Sequence, residues 1–288
     1  MAYATGAMLV FLAGVVWSVQ GLLIRTIPDA EPWAILFWRS LGMVPVLLIW
    51  IGTSQGGRVG QALRLVGWPG VLGGVGLVMA FSGAIYSFQT TTVANAVLLF
   101  TAAPFFAALL GRLVLGEAVS GLTWAAIGLA VLGVGVMVGG GIAGGTMIGN
   151  VAALLSALGF AIFTVALRWG QRANMLPVLL VGGLMAMAAG ALASGLLGQT
   201  LLVPLRDITI AAAMGAVTLS GGLILYTIGS RVVPAAQATL ISLVEVLLAP
   251  VWTWAFLGET VAQGTMIGGA VLLAAVVMNA YGGRSTPA

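Results

Sequence analysis

The sequence predicts an all-α membrane protein: ten transmembrane helices arranged as two inverted five-helix repeats. Three observations predict it. Of 288 residues, 61% are apolar and only 6% are charged. The apolar runs repeatedly exceed the ~18 residues that separate membrane spans from soluble core helices. Finally, LLFTAAPFFAALLGRLVLGE at 98–117 matches LISLVEVLLAPVWTWAFLGE at 240–259 at a constant offset of 142, close to half the chain.

Read in chain order, the runs give spans near 5–24, 33–52, 68–88, 94–113, 121–140, 147–167, 177–197, 210–229, 237–257 and 264–282. Each is long enough to cross ~30 Å of hydrocarbon at 1.5 Å per residue. They are continuous rather than alternating, which points to helices and not barrel strands. The first carries no charge until Arg25 and spans a full membrane width, so it reads as an uncleaved helix. The second opens on Trp33 and the third on Trp68, both expected at the membrane interface. Gly70 with Gly74, and Gly264 with Gly268, mark expected close helix crossings. The fourth and ninth spans contain Pro104 and Pro250, where a missing backbone donor is expected to kink the helix. After the fifth, GGGIAGG at 139–145 separates a first repeat, 1–140, from a second, 146–288, within one membrane domain.

The arginines sort by loop. Arg58, Arg64, Arg112, Arg168, Arg172, Arg231 and Arg284 follow even-numbered spans; Arg25 and Arg206 follow odd ones. By the positive-inside rule both termini are cytoplasmic. Five spans separate the two Leu-Gly-Glu endings, and an odd number reverses direction across the bilayer. Glu117 and Glu259 therefore belong to opposite faces, and the repeats are inverted. Such repeats suit a carrier whose substrate sits near the midplane between halves that rock.

Glu245 is the most informative residue, since a charged carboxylate in mid-membrane costs about 2.5–3.5 kcal/mol or more. It reads as a substrate-amine contact, a proton-coupling group, or a hydrogen-bonded tie between helices. Arg39 lies seven residues into the second span, where its stem can snorkel outward or its charge can turn inward. In span nine Gln237, Ile241, Glu245, Leu248 and Trp252 follow helical spacing, as do Met79, Ser82, Tyr86 and Gln89 in span three. Trp17, Gln20, Phe160, Phe163, Thr164, Gly222 and Tyr226 complete the cavity candidates. Aromatic faces with a few polar tips suit a neutral amphipathic ligand, although each ring alone is equally at home in helix packing.

Several classes are excluded. Without His or Cys there is no zinc-His, Ser-His or Cys-His chemistry, and a single midplane acid gives no carboxylate pair. Without Lys there is no Walker A motif. The basic balance of ten Arg against six acids is spread over loops and fits topology, not nucleic acid. No enzyme activity, metal or cofactor is expected. The partners expected are a small-molecule substrate and the lipid bilayer, and monomer and homodimer stay open.

Trp17 in the first helix, Phe37-Trp38-Arg39 in the second, Pro104 before the first Leu-Gly-Glu, and Glu245 with Ala249-Pro250 before the second make up a recognisable set. With the chain length, this set resembles the drug/metabolite transporter superfamily, in its ten-helix EamA-type branch. Two positions depart from that pattern: Ser18 follows Trp17 where Gly is usual, and Val246 follows Glu245 where Pro is common. The resemblance implies a bacterial inner-membrane exporter of neutral or aromatic amino acids or related metabolites, working without ATP. A proton-coupled multidrug or other metabolite efflux carrier is the alternative, and a channel a more distant one.

Overall fold

In lipid, backbone N–H and C=O groups are satisfied only by bonds within the segment, so long apolar runs become helices. The computed structural model describes residues 1–24, 26–27, 30–54, 56–90, 96, 99–138, 146–170, 174–257 and 263–282. Among them there are helices, turns and no strand. In order the helices are α1 (Tyr3–Trp17), α2 (Gln20–Ile24), α3 (Pro32–Ser54), α4 (Val59–Leu65), α5 (Gly67–Thr90), α6 (Ala103–Leu110), α7 (Gly121–Val138), α8 (Met147–Trp169), α9 (Pro177–Leu196), α10 (Leu205–Ala213), α11 (Ser220–Gly229), α12 (Ala235–Ser242), α13 (Val244–Leu257) and α14 (Gln263–Gly282). Two π-helical stretches, Gly111–Leu115 and Met214–Leu219, extend α6 and join α10 to α11.

Among the described residues, six stretches are long and apolar enough to cross a membrane: Tyr3–Ile24, Pro32–Ser54, Gly67–Thr90, Met147–Trp169, Pro177–Leu196 and Leu205–Gly229. Ala103–Leu115, Gly121–Val136, Ala235–Leu248 and Met266–Asn279 are shorter apolar helices. Most of the first residues of the expected span 94–113, and the linker 139–145, lie outside the described residues.

Small residues set the closest crossings. A Cβ on Gly159 would stand 2.6 Å from the Gly76 carbonyl oxygen, so α5 and α8 meet backbone to backbone. Gly74 faces Val181 and Met185 of α9, and the Gly268 carbonyl faces Gly133 of α7, so both expected glycine crossings are present. α3 and α5 both pack on α9, α1 packs on α11 and α12, α6 packs on α8 and α12, and α7 packs on α14. Exchanging α1 with α8, α3 with α9, α5 with α10–α11, α6 with α12–α13 and α7 with α14 maps these pairings onto one another. The α5–α8 pair becomes α11–α1, and α5–α9 becomes α3 with the π-helical stretch after α10.

Bonds between segments near the helix ends fall into two groups. Gln89 Nε2 donates to the Ala30 carbonyl at 3.2 Å, Trp38 Nε1 to that of Leu201 at 2.8 Å, and the Thr146 hydroxyl to that of Thr90. Elsewhere Arg168 Nη1 donates to the Ser230 and Val233 carbonyls at 3.0 and 2.8 Å, and Arg231 Nη2 to Asn174 Oδ1 at 2.8 Å.

Among the described residues, three of the expected spans are interrupted: at Ser18–Val19 between α1 and α2, at Thr101–Ala102 before α6, and at Leu243 between α12 and α13. The interruptions in the fourth and ninth runs lie N-terminal to the prolines expected to kink them. Pro104 occupies the first turn of α6, where its missing N–H costs nothing. Pro250 lies inside α13, and its side chain is outside the described set. At Leu243 the cause is different. Ser242 Oγ donates to the Thr239 carbonyl at 2.8 Å, and the Leu243 and Val246 amides bond three residues back at 3.2 and 3.0 Å.

Candidate functional site

The break after α1 sets the site. Trp17 ends α1 and Gln20 opens α2, so one turn of span one carries both. The Trp17 ring meets Phe160 edge-on at 5.7 Å between centroids and leans on Tyr226 at 5.6 Å. Phe160 and Phe163 of α8 lie 5.1 and 6.1 Å from the Tyr226 ring. On α11, Gly222 provides the flat backbone on which the Trp17 indole rests, because any Cβ there would overlap the ring. Four expected residues, from three separate helices, therefore form one aromatic cluster. Ile241 belongs to the same apolar core.

Two polar atoms sit within this cluster. Thr164 Oγ1 donates to the Phe160 carbonyl at 2.8 Å, which leaves the Tyr226 hydroxyl to donate to Thr164 Oγ1 at 2.8 Å. Trp17 Nε1, in contrast, is buried without a hydrogen-bond partner. An unpaired buried donor is expensive, so it marks a place where an acceptor would fit.

Arg39 turns inward. Its residue is 4% exposed, its Nη1 donates to Gln20 Oε1 at 3.3 Å, and its Cζ stands 5.0 Å from the centre of the Phe81 ring. The snorkelling alternative is therefore not the one adopted. The π-helical stretch Met214–Leu219 passes directly over this residue, with Gly215 against the Arg39 carbonyl oxygen. At the 142-residue offset in sequence, α5 and α8 are regular where Met214–Leu219 widens and the run α1–α2 breaks.

Span nine runs parallel to span one along this region. A Cβ on Gly14 would lie 3.5 Å from the Glu245 backbone nitrogen, and Trp252 Nε1 donates to Ser18 Oγ at 2.7 Å. Ser18 Oγ in turn donates to the Val15 carbonyl at 2.6 Å. The serine that departs from the family pattern thus ties the two spans, which a glycine cannot do. Glu245 stands in the first turn of α13, half-buried, at the favourable end of that helix's dipole.

The break at Leu243 splits the face expected along span nine. Gln237 lies on α12 beside Glu117, Ser120 and Thr123, and its carbonyl oxygen accepts from Asn279 of α14 at 3.4 Å. The Glu245 backbone and the Trp252 indole lie against the first helical run instead; Leu248 is half-buried on α13. The stripe on span three is also divided. Met79 lies against Gly159, the Ser82 hydroxyl bonds the Val78 carbonyl of its own helix at 2.7 Å, and Tyr86 packs with Trp33 at 6.3 Å. Trp68 is 65% exposed, as an interface residue should be.

The sequence reading missed one ion pair. Arg168 Nε contacts Glu117 Oε1, and Glu117 Oε2 accepts from the Ala235 amide at 3.1 Å. The signal was available, because the loop tally already put Glu117 and Arg168 on one face. Phe81 beneath Arg39 carried no such signal. Among the described residues no group of His, Cys, Asp or Glu could hold a metal ion.

Comparison with known proteins follows the same lines. The sequence profile of the EamA-like transporter family matches residues 4–139 and 147–281. No curated protein sequence matches the chain. A crystal structure of another protein, 18% identical, superposes with a TM-score of 0.81 over 98% of this chain and 99% of that one. At that identity the likeness shows the fold alone.

Proposed function

The chain belongs to the EamA-like transporter family and is a multi-pass membrane protein, and on that premise we propose that it exports neutral and aromatic amino acids, or closely related metabolites, across the bacterial inner membrane. Ten spans form two inverted halves, 1–140 and 146–288, with both termini cytoplasmic. Substrate binds near the midplane, and the halves rock to expose it to either side in turn.

Four features support this reading. The family profile matches two stretches that coincide with the two proposed halves. The helix pairings interchange under the same exchange that aligns the Leu-Gly-Glu endings. Each of the bonds near the helix ends joins segments that ten alternating spans would bring to one membrane face. The interruptions at Thr101 and Leu243 lie 142 residues apart, so both halves break their corresponding helix at the same place.

The observation that carries the substrate class is the Trp17, Phe160, Phe163 and Tyr226 cluster, with its unpaired indole donor and with Gln20, Glu245 and Trp252 on neighbouring turns. Aromatic walls with few polar groups fit an amphipathic molecule of amino-acid size. Counterflow of labelled amino acids by the purified protein in proteoliposomes tests it. Saturable exchange of phenylalanine, tryptophan or a neutral aliphatic amino acid is expected. Failure with every amino acid, alongside transport of a cationic drug, would favour proton-coupled drug efflux through Glu245; linear, unsaturable flux would indicate a channel.

A further inference from the structure

A guanidinium carries five N–H donors and never loses its charge under ordinary conditions. In this chain Arg39 is buried among spans one, two, three and eight, yet only Nη1 has a partner, the Gln20 amide oxygen at 3.3 Å. Its Nε and Nη2 are buried with none. Among the described residues the ion pair that forms joins Glu117 to Arg168, and no carboxylate bonds Arg39. Phe81 offers only its ring face, at 5.0 Å. Removing such a charge from water without an anion is costly, and the ring and one amide offset little of it.

We infer that Arg39, oriented by Gln20 and backed by Phe81, is the subsite for the carboxylate of the transported molecule. This rests on the transporter reading above and adds the chemical handle by which substrate is held. Nε and Nη2 form one edge of the guanidinium, the edge that takes a carboxylate through two parallel bonds. Gln20 holds the opposite edge and fixes the fork. Trp17, three residues before Gln20, ends α1 and brings that helix into the aromatic cluster, and its own Nε1 is a further unpaired donor. An aromatic amino acid can therefore set its carboxylate on Arg39 and its ring against the Trp17 side. A single fork matches a singly charged carboxylate better than a phosphate dianion, which calls for several cations. The remaining described arginines lie toward helix ends or in loops.

The test compares an acid with molecules lacking the charge. In proteoliposomes, unlabelled phenylalanine, phenylalaninamide and phenethylamine compete with labelled phenylalanine. Wild-type protein should prefer the acid at least tenfold over both, and Arg39→Gln should raise the KM for phenylalanine at least tenfold while erasing that preference. Arg39→Lys should recover part of the loss, since it restores charge without the fork. Equal competition by acid and amide in wild type, or an intact preference in Arg39→Gln, overturns the inference. If Arg39→Gln fails to fold, Gln20→Ala provides the second variant, with a smaller loss of the same preference expected. If wild type exchanges no amino acid, the function reading fails separately, and the subsite is read by thermal unfolding. Phenylacetate but not benzylamine should then raise the unfolding temperature of wild type and leave that of Arg39→Gln unmoved; no shift with phenylacetate overturns the subsite as well.

Discussion

Glu117 and Arg168, 51 residues apart in sequence, are joined by an ion pair whose side chains are only 17% and 15% exposed. The pair is also a knot. Glu117 accepts from the Ala235 amide, and Arg168 donates to the Ser230 and Val233 carbonyls, so the loop before α7, the end of α8 and the entry to α12 share one set of bonds. In the proposed topology this knot closes the cytoplasmic rim between the two halves.

Neutralising it should open that rim. Glu117→Gln is expected to destabilise the protein by roughly 1.5–3 kcal/mol, the scale of hydrogen bonds to charged groups, seen as a lower unfolding temperature in detergent. The chain has no cysteine, so a single cysteine placed at Gln237 reports access without background. Its alkylation from the cytoplasmic side should quicken in the variant, and exchanging the charges, Glu117→Arg with Arg168→Glu, should reverse part of the change. Unchanged labelling would show the pair to be ornamental to gating.

Backbone approach between α5 and α8 gives a second expectation. Because a Cβ on Gly159 would stand only 2.6 Å from the Gly76 carbonyl oxygen, Gly159→Leu must force the helices apart. A loss of about 1–3 kcal/mol or more follows from overpacking. Thermal unfolding of detergent-purified variant against wild type measures it, and an unchanged midpoint would contradict the crossing.

Trp17 and Gly222 should behave as a unit. Gly222→Ala pushes a methyl into the indole, so transport should fall severalfold while expression holds, and Trp17→Phe on that background should restore part of the rate by giving back space. Strictly additive effects in this double-mutant cycle would mean that the two side chains do not act through each other.

Glu245 carries the coupling question. If its carboxylate takes and releases the driving proton, Glu245→Gln should retain substrate counterflow and lose accumulation driven by a pH gradient. Full gradient-driven accumulation by the variant would remove Glu245 from coupling.

Much of this architecture was legible in the residues. Apolar runs fix where helices lie, because lipid allows few other structures, and the match of Leu98–Glu117 to Leu240–Glu259 is what suggests a repeat. Trp17, Phe160, Phe163 and Tyr226 were candidates from composition and spacing, and the fold gathers them. What stayed hidden were features that depend on pairing between distant segments. Nothing near Leu243 is a helix breaker; hydroxyls of Thr239 and Ser242 divert backbone carbonyls there, and the face counted along a straight helix is divided as a result. Ser82 follows the span-three stripe in sequence, yet its hydroxyl is satisfied one turn back. Arg39 was ambiguous because its long stem can reach either way, and only the positions of Gln20 and Phe81 decide which.

The most direct test of rocking halves is a pair of distances measured in one preparation. Spin labels on cysteines introduced at Ala118 and Arg231 report the rim held by Glu117 and Arg168, and labels at Trp38 and Leu201 report the opposite end. Adding substrate should shift the two distance distributions in opposite senses, one rim widening as the other narrows. Both rims widening together, or neither responding while saturable transport proceeds, would contradict alternating access between inverted halves.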